Sequence, residues 1–159
     1  MGFDPGSTRS GYGVIGAGGT AAQPTFSFLG CGDVESSGPA LDAFFARCEP
    51  FQVAAGKTVA VEVTQGRIYG DKGAGIAPDL LACARADALI CENVRWRGVD
   101  LVTLPAVRWR KAVAGNGHAS DRILKIAIGR LLRGMPARTN VHNRDGLGVA
   151  IAAAMGMRQ

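Results

Sequence analysis

Short apolar runs separated by glycine, proline and polar residues open the chain and predict a meander of three strands. The first strand is expected to end at Asp4, the second to cover Gly11–Ile15, and the third to cover Phe26–Glu35. A fourth run, Lys57–Val63, is β-branched, apolar and flanked by glycines, as is typical of a strand buried at the centre of a sheet. Val99–Leu104 predicts a fifth strand.

Helical spacing of apolar residues marks five further segments. Together with the strands they predict an α/β domain over residues 1–159, with a five-stranded mixed sheet and helices on both faces. Pro50 is expected to kink or end the first helix, although the helix could continue beyond it. The last helix is rich in glycine and alanine, so it can lie close against a sheet. The predicted helices are Pro39–Glu49, Ala77–Val94, Ala106–Ala114, one capped by Ser120 or Asp121, and one beginning near Val141.

The helix at 77–94 carries a broad apolar face with several small side chains. Such a face can belong to the core or to a self-complementary dimer contact, and the residues alone leave both interpretations open. Its members are Leu80, Leu81, Ala84, Ala88, Leu89 and Cys91.

Length and composition exclude several classes of protein. A chain of 159 residues is long enough for one substantial core but not for two lobes. It has no run of about eighteen apolar residues and no signal-peptide pattern, so we expect a cytoplasmic protein without a membrane span. The four cysteines lack CxxC spacing and have apolar neighbours, which predicts reduced core thiols.

Charge is distributed unevenly along the chain. Residues 1–79 hold five basic and eight acidic side chains, a net charge of −3, whereas residues 80–159 hold thirteen and five, a net charge of +8. Arginine interleaved with Trp96 and Trp109 suits phosphate contact combined with base stacking. The second half therefore suggests nucleic-acid binding, with a solvated basic surface as the alternative.

Four residues suggest a metal centre. Asp4 ends the first strand at a Pro-Gly-Ser-Thr turn, and Glu62 lies in the central strand, where an ionised carboxylate needs compensation. His142 and Asp145 share a face in the first turn of the last helix. Because the first and fourth strands are natural central neighbours, we expect the four side chains to meet at one end of the sheet. Two Mg²⁺ or Mn²⁺ ions, about 4 Å apart, would remove their repulsion and suit phosphodiester hydrolysis.

A polar, glycine-rich loop from Thr64 to Gly75 follows Glu62 directly. Its Arg67, Tyr69 and Lys72 are expected to contact DNA beside the site. Tyr69 either stacks against a base or packs back onto the domain.

Four motifs occur in order along the chain: Asp4-Pro5-Gly6-Ser7 with Gly11-Tyr12-Gly13-Val14-Ile15, Val59 to Glu62, Gly115-Asn116-Gly117, and His142-x-x-Asp145. Together they resemble the RuvC-type Holliday-junction resolvases of the RNase H-like superfamily. The resemblance covers nearly the whole chain, and it implies that Asp4, Glu62, His142 and Asp145 form the metal-binding catalytic set. The family uses either Asp or His at the position of His142.

The resemblance also implies an activity and partners. It predicts a Mg²⁺-dependent homodimer, formed through the helix at 77–94, that nicks two opposed strands of a four-way DNA junction and leaves 5′-phosphate and 3′-hydroxyl ends. A branch-migration helicase is a candidate partner, and the expected location is the nucleoid, or the host cytoplasm if the chain is phage-encoded. The residues expected to contact DNA phosphate are Arg110, Lys111, Arg122 and Lys125, and Arg108 on the basic helix is expected to contact DNA as well.

Other functions stay open beside this one. The first strand is short, and the loop after Glu62 is richer in Gly, Arg and Lys than in the bacterial housekeeping enzymes. A phage-like or divergent member that cuts branched DNA more broadly would fit these departures. A nuclease acting on RNA–DNA hybrids shares the fold. Outside the nucleases, the alternatives are a non-catalytic junction-binding module and a fragment of an actin-like ATPase, whose first hairpin holds nucleotide phosphate.

Overall fold

The structure is a computed structural model that describes residues 1–20, 22–52, 58–63 and 77–156. The strands are β1 (Gly2–Asp4), β2 (Arg9–Gly19), β3 (Pro24–Glu35), β4 (Thr58–Val63), β5 (Asp100–Pro105) and β6 (Leu132–Arg133). The helices are α1 (Gly38–Gln52), α2 (Ala77–Trp96), α3 (Ala106–Ala114), α4 (Asp121–Leu131) and α5 (Val141–Ala154).

The strands form one mixed sheet in the order β5-β4-β1-β2-β3-β6. β1, β2 and β3 are an antiparallel meander, whereas β4 pairs with β1 and β5, and β6 with β3, in parallel. The predicted fold class is confirmed, but the predicted count of five strands is wrong. β6 has only two residues and directly follows α4, so it is too short to leave a periodic signal in the sequence.

Helices cover both faces of the sheet, and each face has its own apolar core. Along β4, Val59 and Val61 join the cluster beneath α1 and α2, whereas Ala60 joins the cluster shared with α3, α4 and α5. Side chains of a strand alternate between the two faces. The next residue on the side of Ala60 is therefore Glu62, which faces the α3 and α5 layer.

α5 lies close against the sheet because glycines line both sides of the contact. A Cβ added at Gly11 would lie 2.6 Å from the Cβ of His142, and one at Gly13 would lie 2.6 Å from Cδ2 of Leu147. On the helix side, a Cβ at Gly146 would lie 3.0 Å from the backbone of Tyr12. The predicted close approach of the last helix is confirmed, and it brings the first turn of α5 over the end of β1.

β2 and α1 differ most from their predicted extents, whereas β3, β5 and α2 differ by one or two residues at an end. β2 begins at Arg9 and ends at Gly19, because its pairing with β3 continues to Gly19 opposite Pro24. α1 contains Pro50 and ends at Gln52, so the proline does not end the helix. Lys57, predicted to open β4, lies outside the described residues.

The apolar face predicted for α2 is divided between two sides of the helix. Ile90, Cys91 and Val94 are buried against the sheet. Leu81, Ala84 and Ala88 are exposed instead, with Leu81 72 % exposed. The residues predicted to form one broad apolar face therefore do not share a side of the helix, because the small side chains of α2 lie on both sides and carry no directional signal.

The prediction that the four cysteines are reduced core thiols holds only in part. Cys31, Cys48, Cys83 and Cys91 are all free thiols, but only Cys91 is fully buried. Among the described residues, no helix combines the length and apolar character that crossing a membrane requires.

Candidate active site

Strand register places Asp4 and Glu62 side by side. Gly2 pairs with Ala60 and Phe3 with Val61 between the parallel strands β1 and β4. Asp4 follows Phe3 on β1, and Glu62 follows Val61 on β4. The two carboxylates therefore lie next to each other near the carboxyl ends of the two strands. Because Gly2 and Ala60 face α5, Asp4 and Glu62 face the same side.

The turn after Asp4 is fixed by two serine hydroxyl groups. Ser36 Oγ donates to the carbonyl of Gly6 at 2.8 Å and lies 2.8 Å from Ser10 Oγ. The backbone N–H of Gly6 donates to Ser10 Oγ at 3.4 Å. This turn therefore cannot slide along the hairpin, and Asp4 keeps its position at the end of β1.

His142 reaches Asp4 from the first turn of α5. Asn140 caps that helix by accepting from the backbone N–H of Asn143 at 2.7 Å, and it donates to Asp33 of β3 at 2.9 Å. The helix start is thereby tied to the sheet. His142 Nδ1 lies 2.7 Å from Asp4 Oδ2, and its imidazole is 56 % exposed.

Glu62 is held by the indole of Trp109, a side chain that its arginine neighbours had suggested was suited to base stacking. Trp109 Nε1 donates to Glu62 Oε2 at 2.6 Å. Trp109 is completely buried under α5, where Gly148 packs against its ring, so it is not available to stack on a base. Burial, reinforced by the charge of Asp4, raises the pKa of Glu62 to about 7.

Asp145 is buried and bonded to two guanidinium groups. Arg144 donates to Oδ1 from Nε at 3.0 Å and from Nη2 at 2.8 Å, and it also lies 3.3 Å from Asp121 at the start of α4. Arg110 of α3 donates to Oδ2 at 3.1 Å. Both oxygens of this carboxylate are therefore satisfied by cations from the protein.

The acidic side chains act on each other electrostatically. Burial raises the pKa of Asp4, and the charge of Asp145 raises it further, while His142 and Arg110 oppose the shift. Asp4 and Asp145 likewise raise the pKa of Glu62, against Trp109 and Arg110. The structure thus brings Asp4, Glu62 and Asp145, with His142, to one end of the sheet; we refer to these four residues as the acidic cluster.

The acidic cluster has the donor chemistry of a site for a hard divalent cation. Carboxylate oxygens and an imidazole are ligand types that Mg²⁺ and Mn²⁺ accept, and mutual repulsion is a cost that a cation removes. Within the described part of the chain, however, no three His, Cys, Asp or Glu side chains are arranged to hold a metal ion. Each carboxylate is instead turned towards a partner from the protein: His142, Trp109 or an arginine.

The basic residues predicted to contact DNA lie on α3 and α4 or outside the described residues. Arg108 and Lys111 on α3 are exposed, as are Arg122 and Lys125 on α4. Arg110 is directed inward to Asp145. The loop residues Arg67, Tyr69 and Lys72 fall outside the described residues.

The role of Trp109 was misassigned from the sequence, and that of Arg144 was missed. Trp109 and Val113 are both buried, and their i, i+4 spacing on a basic helix was a usable signal that Trp109 points inward. Arg144 gave no such signal. A charged residue in a first helical turn normally faces solvent, and only the approach of α4 and α5 buries this one.

A meander followed by parallel strands, with α5 on the sheet and acidic residues at the ends of β1 and β4, defines the RNase H-like class of folds. The family model described as crossover junction endodeoxyribonuclease RuvC matches residues 1–153. The chain therefore belongs to the RuvC family of crossover junction endodeoxyribonucleases. That membership favours a nuclease over a fragment of an actin-like ATPase.

Solved structures share this fold at low sequence identity. The Thermus thermophilus RuvC structure is 23 % identical and superposes with a TM-score of 0.70 over 97 % of this chain and 92 % of that chain. T. thermophilus RuvC in complex with a Holliday junction substrate is 22 % identical, with a TM-score of 0.77 over 99 % of this chain and 93 % of that chain. No curated protein shows significant sequence similarity to the chain.

Proposed function

We propose that the protein resolves four-way DNA junctions by paired nicks in opposed strands, with the acidic cluster as its catalytic, metal-binding set. The observation that carries this proposal is the convergence of Asp4, Glu62, His142 and Asp145 from β1, β4 and α5 in a chain of the RuvC family. Cleavage would leave 5′-phosphate and 3′-hydroxyl ends.

Divalent cations held by the acidic cluster would supply an activated water and stabilise the leaving 3′-oxygen. The residues around the cluster fix its geometry. Trp109 orients Glu62, and Arg144 orients Asp145 while joining it to Asp121. His142 contacts Asp4 from the exposed side of the cluster. Mg²⁺ is the expected ion, with two per site and Mn²⁺ as a substitute.

The exposed cations of α3 and α4 supply the DNA surface. Arg108, Lys111, Arg122 and Lys125 are all exposed on the two helices that follow β5. Phosphate contacts of this kind release counterions, so junction binding should weaken steeply with salt. With cations bound, the acidic cluster together with these basic residues would allow the DNA backbone to be bound and cut by one domain.

The exposed side of α2 fits a second copy of the chain in an antiparallel arrangement. Its exposed stripe contains small alanines at 84 and 88, an apolar residue near each end, and opposite charges between them. A two-fold axis between Ala88 and Leu89 would place Arg85 opposite Glu92 of the partner subunit. The same axis would place Leu81, 72 % exposed, opposite the partner's Trp96, 87 % exposed. Both complementary pairs arise from one register, which supports a homodimer through α2.

Cleavage of a labelled four-way junction, compared with a linear duplex of matched sequence, tests the function. We expect Mg²⁺-dependent nicks in the junction alone. Asp4→Asn, Glu62→Gln and Asp145→Asn should each abolish nicking while junction binding persists, and His142→Ala should slow single-turnover nicking strongly. Asp42→Asn, which alters an exposed carboxylate on α1, is the matched control and should cut at the wild-type rate.

The outcomes separate the alternatives. Binding of the junction without nicks in Mg²⁺ would indicate a junction-binding module. Faster cutting of an RNA–DNA hybrid than of the junction would indicate a hybrid nuclease, and equal cutting of flaps and three-way forks would indicate broader action on branched DNA. Near-wild-type nicking by a substituted residue would remove that residue from the catalytic set.

A further inference from the structure

The two arginines on Asp145 are held in different ways. Arg144 is buried, donates twice to Oδ1, and is also paired with Asp121. Arg110 makes a single contact with Oδ2, at 3.1 Å, and its side chain is 28 % exposed. The buried Nε of Arg110 has no hydrogen-bond partner among the described residues. Arg144 is therefore a fixed part of the site, whereas Arg110 is held weakly and borders solvent.

The charge of Arg110 acts on all three carboxylates of the acidic cluster. It lies against Asp145 directly, and it favours the ionised forms of Asp4 and Glu62 against the effect of burial. Its guanidinium carbon lies 5.3 Å from the ring centroid of Trp109, the residue that holds Glu62. One guanidinium thus provides positive charge where three carboxylates converge, which is also what a bound cation would provide.

We propose that Arg110 is a resident counter-ion of the acidic cluster, which competes with a divalent cation for Asp145 and, once displaced, binds a DNA phosphate. The proposal rests on the proposed function, because the cation uses the same acidic cluster. Asp145 has one oxygen bonded to the fixed Arg144, so the oxygen facing Arg110 is the one that a cation can take. A phosphate that draws Arg110 away from this oxygen must tighten cation binding, and a bound cation must tighten phosphate binding equally.

Arg110 is therefore a positioning residue whose removal has opposite effects on the two ligands. Arg110→Gln should bind Mn²⁺ more tightly than the wild type in the absence of DNA, by a factor on the order of ten, because a competing unit charge is removed. The same variant should bind the four-way junction more weakly. Arg110→Lys keeps the charge and should bind Mn²⁺ much as the wild type does. A purely structural role would weaken both ligands together.

Calorimetric titration of the DNA-free full-length protein with Mn²⁺ measures the first effect, and a filter or anisotropy assay measures the second. Arg108→Gln is the matched control, since Arg108 is exposed on the same helix and, within the described part of the chain, forms no ion pair with the acidic cluster. It should weaken junction binding and leave Mn²⁺ affinity unchanged. Thermal melting of every variant shows that each is folded.

The results separate this inference from the function on which it rests. If the wild type takes up no Mn²⁺, the metal nuclease itself is overturned. If the wild type binds Mn²⁺ and Arg110→Gln binds it equally or more weakly, the competition is overturned while the metal site stands. If Arg110→Gln does not fold, wild-type protein is titrated with Mn²⁺ with and without a saturating linear duplex, after subtraction of the DNA blank. Tighter uptake with duplex supports the competition, and unchanged uptake overturns it.

Discussion

At the scale of single residues, burial and one hydrogen-bond donor set the chemistry of Glu62. Its carboxylate is removed from water beside Asp4, and the indole of Trp109 compensates only part of that cost. The pKa of Glu62 is raised from 4.5 to about 7, so the folded protein binds this proton more tightly than the unfolded chain does. The contribution of the protonated Glu62 to the stability of the fold is therefore fully present below pH 4.5, and it is lost as the pH rises through about 7.

We therefore expect Glu62→Gln to stabilise the metal-free protein increasingly as the pH rises. At pH 8 the gain in the free energy of unfolding should approach about 3 kcal/mol, the upper bound set by the pKa shift, and at pH 4.5 it should nearly vanish. Urea unfolding in EDTA at several pH values measures this difference. Asp42→Asn, at an exposed position on α1, serves as the control. A stability gain from Glu62→Gln that is independent of pH would contradict the shifted pKa.

At the scale of elements, the close contact between α5 and β2 positions His142 over Asp4. Gly11 is directly beneath the first turn of α5. Only glycine leaves room there for the helix backbone, because any Cβ at this position would overlap His142. Gly30, on the neighbouring strand β3, has nothing within 4 Å of an added Cβ. The two glycines therefore have different roles, although both lie in the same antiparallel ladder.

Gly11→Ala should destabilise the fold by about 1–3 kcal/mol, because its methyl group would overlap His142 and move α5 outward. Gly30→Ala should change the free energy of unfolding by less than about 0.5 kcal/mol. Denaturant unfolding of both variants compares them directly. Equal stabilities would show that α5 does not depend on a glycine at this position.

At the scale of the whole molecule, the proposed dimer makes a prediction about paired charges. Arg85→Glu and Glu92→Arg should each weaken dimerisation about tenfold or more, because each places like charges opposite each other across the two-fold axis. The double variant should recover the dimer, since the pair is restored with reversed polarity. Sedimentation equilibrium measures the dissociation constants.

Arg130→Glu on α4 is the control charge reversal and should leave the assembly unchanged, because Arg130 is exposed on the helix layer of the opposite face. A wild type that stays monomeric at all concentrations would contradict the dimer. Dimers that survive both single reversals would contradict the register of α2 against its partner but not the dimer itself.

Local patterns in the sequence were sufficient for most of the fold. The β-branched run of β4 and the alternation of its side chains predicted an interior strand, and β4 lies between β5 and β1, with Glu62 next to buried residues. The boundary of α3 at Pro105 and the turn at Gly115, whose φ is 74°, are likewise written in residue types that restrict the backbone. β6 was not predictable, since two residues carry no periodicity.

The sequence by itself determined five of the six strands, the glycine and alanine surface of α5, and the four side chains of the acidic cluster, because strand parity and helical spacing depend only on neighbouring residues. Tertiary structure alone decided that Trp109 is buried on Glu62, that Arg144 and Arg110 share Asp145, and that the small residues of α2 lie on two sides. Those contacts join residues such as Glu62 and Trp109, which lie 47 positions apart in the chain, and they depend on how the layers pack.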